Sequence, residues 1–212
     1  MRFIGDVHGK YGPYKRLIAE VPASVQVGDM GVGFRREGGF GEYDTYSNPP
    51  HYAMVKGDHR FIRGNHDNPG ECAKHSQWIR DGNIESGVMF VGGAVSIDRA
   101  YRTEGYSWWP DEELSTAELN DLVDVYCEAK PRVMVTHDAP EEIAAEVSRV
   151  ANWGAKMDPR FASRTRQAFQ QMWSAHSPNL WIFGHWHFSF DRVLRGTRFI
   201  CLAELEHRDI EL

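Results

Sequence analysis

Five short clusters along the chain combine carboxylate, imidazole and amide side chains: Gly5-Asp6-Val7-His8-Gly9, Gly28-Asp29-Met30-Gly31, Gly64-Asn65-His66-Asp67, Thr136-His137-Asp138 and Gly184-His185-Trp186-His187. Nitrogen and oxygen donors without thiolates suit hard to borderline metals such as manganese, iron or zinc. In an extended segment residues i and i+2 point the same way, so Asp6 with His8, and His185 with His187, are each expected to aim two donors at one site. The neighbouring glycines let the backbone turn tightly and approach a ligand. Taken singly, each cluster has a plainer reading. Gly and Asp are ordinary turn residues, and His137 after an apolar run reads as a core histidine. Five ligand-bearing clusters, each following a strand-like run, are hard to produce by turn chemistry alone and point to a metal centre.

The elements that must position these clusters are short apolar runs: Arg2-Phe3-Ile4, Val25-Gln26-Val27, Arg60-Phe61-Ile62, Val88 to Val91, Val133-Met134-Val135 and Leu180 to Phe183. Each reads as a buried strand feeding a polar loop. Helices are expected from Pro13 through about Glu20, after the capping box of Ser115 and Glu118 with Leu119, Leu122, Val123 and Tyr126 on one face, and from about Phe161 to Ala175. Alternating strands and helices argue for an α/β domain with ligands at the carboxyl ends of strands. Phe188 to Cys201 reads as a strand pair around Arg195-Gly196, so a mixed sheet or two packed sheets is expected. Two long excursions interrupt the pattern, from Gly31 to Pro50 with Gly38-Gly39 and Pro49-Pro50, and from Arg99 to Glu113. Loops of that length are often functional.

The 212 residues suit one domain spanning 1–212, and a composition 42% hydrophobic and 25% charged is that of a globular chain. The formal net charge of -6 argues against a general polyanion binder, so a phosphate-bearing substrate must be attracted locally, which bound cations can do. Cys72, Cys127 and Cys201 are widely separated and form no CxxC pair; no disulfide framework is expected, and a reducing, cytoplasmic setting fits. The first cluster follows the initial Met at once, so no leader peptide is expected, and no run approaches the ~18 apolar residues of a membrane span.

In order and spacing, the five clusters resemble the motif set of the calcineurin-like metallophosphoesterase superfamily, from Asp6 to His187. The resemblance implies an α/β sandwich of two packed mixed β-sheets flanked by helices, with the motif loops meeting at one edge. It also implies a dinuclear centre: Asp6, His8 and His187 for one metal, Asn65, His137 and His185 for the other, and Asp29 bridging both. The pair is expected to be divalent or mixed-valence, manganese first, with iron, zinc, cobalt or nickel as alternatives. Two cations about 3.5–4 Å apart can hold a phosphate oxygen and lower the pKa of a shared water until it attacks phosphorus. His66 resembles the family's general acid for the leaving alkoxide, the alternative being a structural imidazole. Asp67, Asp138 or backbone carbonyls are candidates to orient the ligand histidines.

The second motif departs from that of the superfamily's protein phosphatases, Gly-Asp-x-Val-Asp-Arg-Gly. Val32 and Gly33 stand where its second Asp and its phosphate-gripping Arg would be. That argues against a typical protein phosphatase and leaves the phosphate grip open among Arg35, Arg36, Arg99, Arg102 and Arg164. Tyr106, Trp108 and Trp109 could stack on a base, with a hydrophobic plug as the preferred reading. His51, His59, His75, His176 and His207 are expected at the surface or in loops, and Asp111-Glu112-Glu113 as an exposed lead into a helix. The function that follows is hydrolysis of phosphomonoesters or phosphodiesters, with a small or nucleotide-like phosphorylated substrate. A nuclease is the alternative within hydrolases, although nucleic acid is not favoured, and a noncatalytic scaffold is the alternative outside them. No membrane partner is expected.

Overall fold

The computed structural model describes residues 1–34, 56–152 and 162–212. Arg35, Arg36, His51, Phe161 and the Gly38-Gly39 and Pro49-Pro50 pairs lie outside these residues. In chain order the elements are β1 (Arg2–Ile4), α1 (Tyr11–Ala19), β2 (Ala23–Gln26), β3 (Asp58–Phe61), α2 (Pro69–Cys72), β4 (Asn83–Glu85), β5 (Val88–Val91), α3 (Thr116–Ala129), β6 (Val133–Thr136), α4 (Glu141–Val150), α5 (Arg164–Ala175), β7 (Leu180–Phe183), β8 (Phe190–Leu194), β9 (Thr197–Cys201) and β10 (His207–Asp209). A 3-10 turn occupies Arg99–Tyr101.

The strands form two mixed sheets, of order β10-β1-β2-β3 and β4-β5-β6-β7-β9-β8. Within the first, β1, β2 and β3 run parallel and β10 returns antiparallel to β1. Within the second, β5, β6, β7 and β9 run parallel, with β4 and β8 antiparallel at the edges. The architecture is the expected two-sheet α/β sandwich. Side-chain alternation along the strands builds it, because residues i and i+1 face opposite sides. Phe3, Val25, Val133, Val135, Ile182 and Ile200 join one cluster, between the sheets. Met134, Trp181, Phe183, Phe199 and Cys201 join another that includes Tyr126 of α3, Ile143 and Val147 of α4, and Phe169, Met172 and Trp173 of α5. Ile4 and Phe61 meet Tyr14 and Ile18 of α1 on the remaining face. Strands covered on both faces read as continuous apolar runs, which is why they stand out in the sequence.

The Ser115–Glu118 capping box forms as expected, and α3 begins directly after it. Ser163 caps α5 by accepting from the Arg166 N–H, so the third helix starts at Arg164. Helix α4 and the edge strands β4 and β10 have no clear mark in the sequence. Glu112 and Glu113 depart from the expected exposed lead: they are 4% and 6% exposed. Glu112 accepts from the Ser96 N–H at 2.9 Å and from its hydroxyl, and Glu113 accepts from the Ser163 hydroxyl at 2.6 Å and the Thr165 N–H at 3.0 Å. Buried carboxylates persist where donors satisfy them. His59 is likewise buried rather than superficial, with Nδ1 2.9 Å from the Ser24 hydroxyl. Trp109 packs against Phe34 as a plug, whereas Tyr106 is largely exposed. All three cysteines are free thiols, and among the described residues no helix is long and apolar enough to cross a membrane.

Candidate metal centre

Parallel strands deliver their following loops to one edge of a sheet, and the five clusters follow β1, β2, β3, β6 and β7. Backbone bonds tie the loops together: Val7 N–H and His8 N–H both donate to the Asp29 carbonyl, at 3.0 and 2.8 Å. The two sheets are joined here as well, through His137 Nδ1 against the Val27 carbonyl at 2.8 Å and the His185 N–H on Asp6 Oδ1 at 3.1 Å.

Two groups of donor atoms result, each within 4.8 Å of one another. Asp6, His8, Asp29 and His187 form the first, and Asp29, His137 and His185 the second, so Asp29 belongs to both. Asn65 adjoins the second: its Nδ2 donates to the Ser96 hydroxyl at 3.1 Å, which turns Oδ1 toward His137 Nε2, also 3.1 Å away. All seven expected ligands are therefore assembled. The extended-strand argument for how they meet is corrected. His8, Asp29, His185 and His187 have φ of 48°, 60°, 67° and 46°, in the left-handed region that non-glycine residues seldom enter. The backbone turns at each of them, and His185 and His187 diverge into different groups instead of sharing one. Conformations of this kind each cost of order 1–3 kcal/mol and persist where surrounding structure over-determines them.

The donor set fits cations on three observations. Asp6 Oδ2 is buried without a hydrogen-bond partner, although His187 Nε2 stands 3.0 Å away. His8 Nε2 and His187 Nε2 lie 2.9 Å apart and 3.8 and 3.0 Å from that same oxygen, so three donor atoms meet in one place. The loops also leave no room for side chains at their glycines: a Cβ on Gly64 would lie 2.1 Å from Asp29 Oδ1, one on Gly184 2.3 Å from Asp6 Oδ1, and one on Gly28 2.3 Å from His137 Nδ1. Burial alone would raise the Asp29 carboxyl, but the imidazoles of His137, His66 and His8 outweigh it and hold the group well below its usual range. Burial likewise opposes protonation of His137, and the facing Asp29 reverses this, lifting it to about 10. His185, dominated by burial, falls to about 4.

The supporting carboxylates take different tasks. Asp67 accepts from the N–H groups of Met30, Gly31, Val32 and Gly64, at 3.1, 2.7, 2.8 and 2.7 Å, and so clips the second motif loop to the third instead of orienting a histidine. Asp138 accepts from Ala139 N–H, Trp186 Nε1 and Arg166 Nε at 2.8, 2.9 and 2.6 Å, and lies 4.0 Å from His185 Nε2. At the departure in the second motif, Val32 is buried beneath α1, and Gly33, with φ 69°, has Asn68 and Glu71 within 2.9 Å of any added Cβ. No side chain from that loop reaches over the centre at these two positions.

His66 stacks on Phe34, with centroids 4.8 Å apart and planes 5° from parallel. Its N–H donates to Asp29 Oδ1 at 2.7 Å, and its Nε2 meets the Arg102 guanidinium. Arginine can only donate, so Nε2 accepts and the imidazole is neutral; burial pushes its pKa well below the ordinary value. Beside the two donor groups lies a pocket of 290 Å³ lined by Asp29, Asn65, His66, Arg102, Arg166 and His185, among others. Of the arginines expected to grip phosphate that lie among the described residues, Arg99 and Arg164 are exposed, Arg164 being bound to the Leu114 and Glu113 carbonyls, and Arg102 lines the pocket. Sequence reasoning missed Arg166 and Ser96. Arg166 carried a legible signal, since it falls on the buried face of α5 with Phe169 and Trp173, and a cation on an apolar helix face needs a partner.

No protein-family model matches the chain, and no curated protein matches it in sequence. Among solved structures it is similar to GAP50, the anchor in the inner membrane complex of Plasmodium, at 12% identity over 96% of this chain and 71% of that one, with a TM-score of 0.47.

Proposed function

We propose that the chain is a dinuclear metal-dependent phosphoesterase acting on small phosphorylated substrates, with manganese the first metal to test and iron, zinc, cobalt and nickel next. The observation that carries this reading is the pair of donor groups sharing Asp29, with the unpartnered Asp6 Oδ2 buried in one of them. When bound, two such cations supply Lewis acidity toward a phosphoryl oxygen and lower the pKa of water.

The chain's own residues do the rest. Asp6, His8, Asp29 and His187 would hold one cation and Asn65, His137, His185 and Asp29 the other. His137 Nδ1–H donates to the Val27 carbonyl, which fixes the tautomer and leaves Nε2 as the atom that would face a metal. Ser96 fixes the Asn65 amide so that its oxygen is presented. Phe34 stacks on the His66 ring and is itself backed by Trp109, which fixes the orientation of the imidazole. Because Arg102 donates to His66 Nε2, we assign Arg102 the positioning of His66 and leave the ring's other nitrogen as the donor to the leaving oxygen.

The test is hydrolysis of a chromogenic phosphomonoester and its bis-ester analogue by metal-analysed protein, with manganese added or chelated. Turnover that appears with metal and disappears with chelator is expected. Absence of turnover across several metals and pH values would replace this reading with that of a noncatalytic scaffold, and cleavage confined to DNA or RNA would replace it with a nuclease.

A further inference from the structure

The phosphoesterase reading leaves one requirement unmet: a protein cation that grips the substrate's anionic oxygens, since the second motif offers none. Among the described residues two arginines line the pocket, Arg102 and Arg166, with side chains 7% and 6% exposed. Their guanidinium groups are committed differently. Both η nitrogens of Arg102 have partners: Nη1 donates to the Ser96 hydroxyl at 3.2 Å and the Ser107 carbonyl at 3.4 Å, and Nη2 forms an ion pair with Asp98 at 2.7 Å and donates to His66. Arg102 is thus spent on positioning His66. Arg166 is held only from behind. Its Nε donates to Asp138 Oδ2 at 2.6 Å, and its guanidinium lies over the Trp186 ring, 4.9 Å from the centroid. Neither of its η nitrogens has a protein partner among the described residues, nor is either among the buried unpartnered atoms. The distal edge of the fork is therefore open to the pocket that Arg166 lines with Asp29 and His185.

We propose that Arg166 is the anion-binding residue of this site, taking two non-bridging oxygens of the substrate on its free η edge and thereby favouring phosphomonoesters over diesters. The proposal rests on the phosphoesterase reading for its substrate, but its geometry is independent of turnover. A planar fork with two parallel N–H groups matches two oxygens of one phosphate. A monoester carries three non-bridging oxygens, so that one remains to face the Asp and His donors; a diester carries two and leaves none. The Asp138 tether and the Trp186 ring fix the guanidinium beforehand, which removes most of the ordering cost of binding. Asp29 and Asp98 also line the pocket. Asp98 is neutralised by Arg102, so Arg166 faces the incoming anion with one cationic charge that is only partly offset, by Asp138 on its far side.

Binding of inorganic phosphate to the metal-loaded full chain tests this directly, using wild type, Arg166→Lys, Arg166→Gln and, as a surface control, Arg192→Gln. Arg166→Lys keeps a cation beside Asp138 and loses the fork. At unchanged metal content it is expected to weaken phosphate binding about 10- to 100-fold, the equivalent of one or two charge-assisted hydrogen bonds, and to lower monoester kcat/KM by a similar factor while diester kcat/KM falls less. Phosphate affinity within about twofold of wild type, or equal losses for the two esters, overturns the proposal. Where the Arg166 variants lose metal or fail to fold, the wild-type holoprotein decides: in crystals grown with inorganic phosphate, a phosphate oxygen within about 3.2 Å of an Arg166 η nitrogen supports the assignment, and any greater separation overturns it. Phosphate binding that needs Arg166, without turnover of either ester, refutes the phosphoesterase reading alone. Turnover with Arg166-independent phosphate binding refutes the present inference alone.

Discussion

Replacing Gly64 with alanine tests whether the loops are packed as tightly around Asp29 as the structure describes. The added Cβ would lie 2.1 Å from Asp29 Oδ1, 2.3 Å from the Asp29 backbone nitrogen and 2.7 Å from His137 Nε2. An ordinary contact begins at 3.4 Å, so the neighbours must retreat by about 1.3 Å. One of them is main chain, held by the Asp67 clip on the next three residues, and cannot rotate away as a side-chain tip would. Overpacking of this kind costs about 1–3 kcal/mol, which for a chain of this length lowers the melting midpoint by roughly 2–12 °C. The functional penalty is larger, since a displacement of about 1 Å at a reacting centre costs on the order of 100-fold in rate. Metal per chain by elemental analysis, thermal unfolding and monoester turnover are the three readouts, with Gly12→Ala as the control. Gly12 lies in α1 with nothing within 4 Å of its added Cβ, so that variant should melt no lower than wild type and keep its metal. A Gly64→Ala protein with wild-type metal content and a midpoint within about 1 °C of wild type would refute the described packing.

Asp29→Asn should lose metal and turnover together, because the only carboxylate common to both donor groups becomes a neutral amide; an Asp29→Asn protein with full metal content would remove Asp29 from the shared position. Ser115→Ala should cost about 1 kcal/mol by deleting the cap that accepts from the Glu118 N–H, seen as a lower midpoint with unchanged metal content. For pH, the Arg2 guanidinium holds the Asp209 carboxyl below its usual range across the β1–β10 pairing. A depressed folded-state pKa contributes stability that is present above the unfolded carboxylate pKa of about 4 and disappears as pH falls through the folded value. The midpoint gap between wild type and Arg2→Met should therefore be widest above about pH 5 and close on acidification; a gap that widens toward pH 3 would contradict the assignment.

The candidate ligands were legible in the sequence because metal donors are few in kind and each follows an apolar run. Runs such as Met134 to Thr136 and Trp181 to Phe183 are continuous because both faces of their strands are covered, and that same burial marks where each strand ends and its polar loop begins. The capping box at Ser115 was legible for the same local reason: its chemistry spans four residues. What the sequence could not carry were decisions made between distant segments. Strand periodicity would have put His185 and His187 together; the left-handed turns that send them into different donor groups occur where the His185 N–H donates to Asp6, 179 residues away. Glu112 and Glu113 look like a solvated acidic run until Ser96, Ser163 and Thr165 arrive to satisfy them. The distinction between Arg102, fully engaged, and Arg166, open along one edge, exists only once Asp98, Ser96, His66 and Asp138 are in place. Sequence alone determined which residue types could hold metal and in what order they occur. Tertiary structure decided which backbone turns bring them together, which glycines admit no side chain, and which guanidinium is left with donors to spare, because each of these turns on hydrogen bonds and steric contacts between segments far apart in the chain.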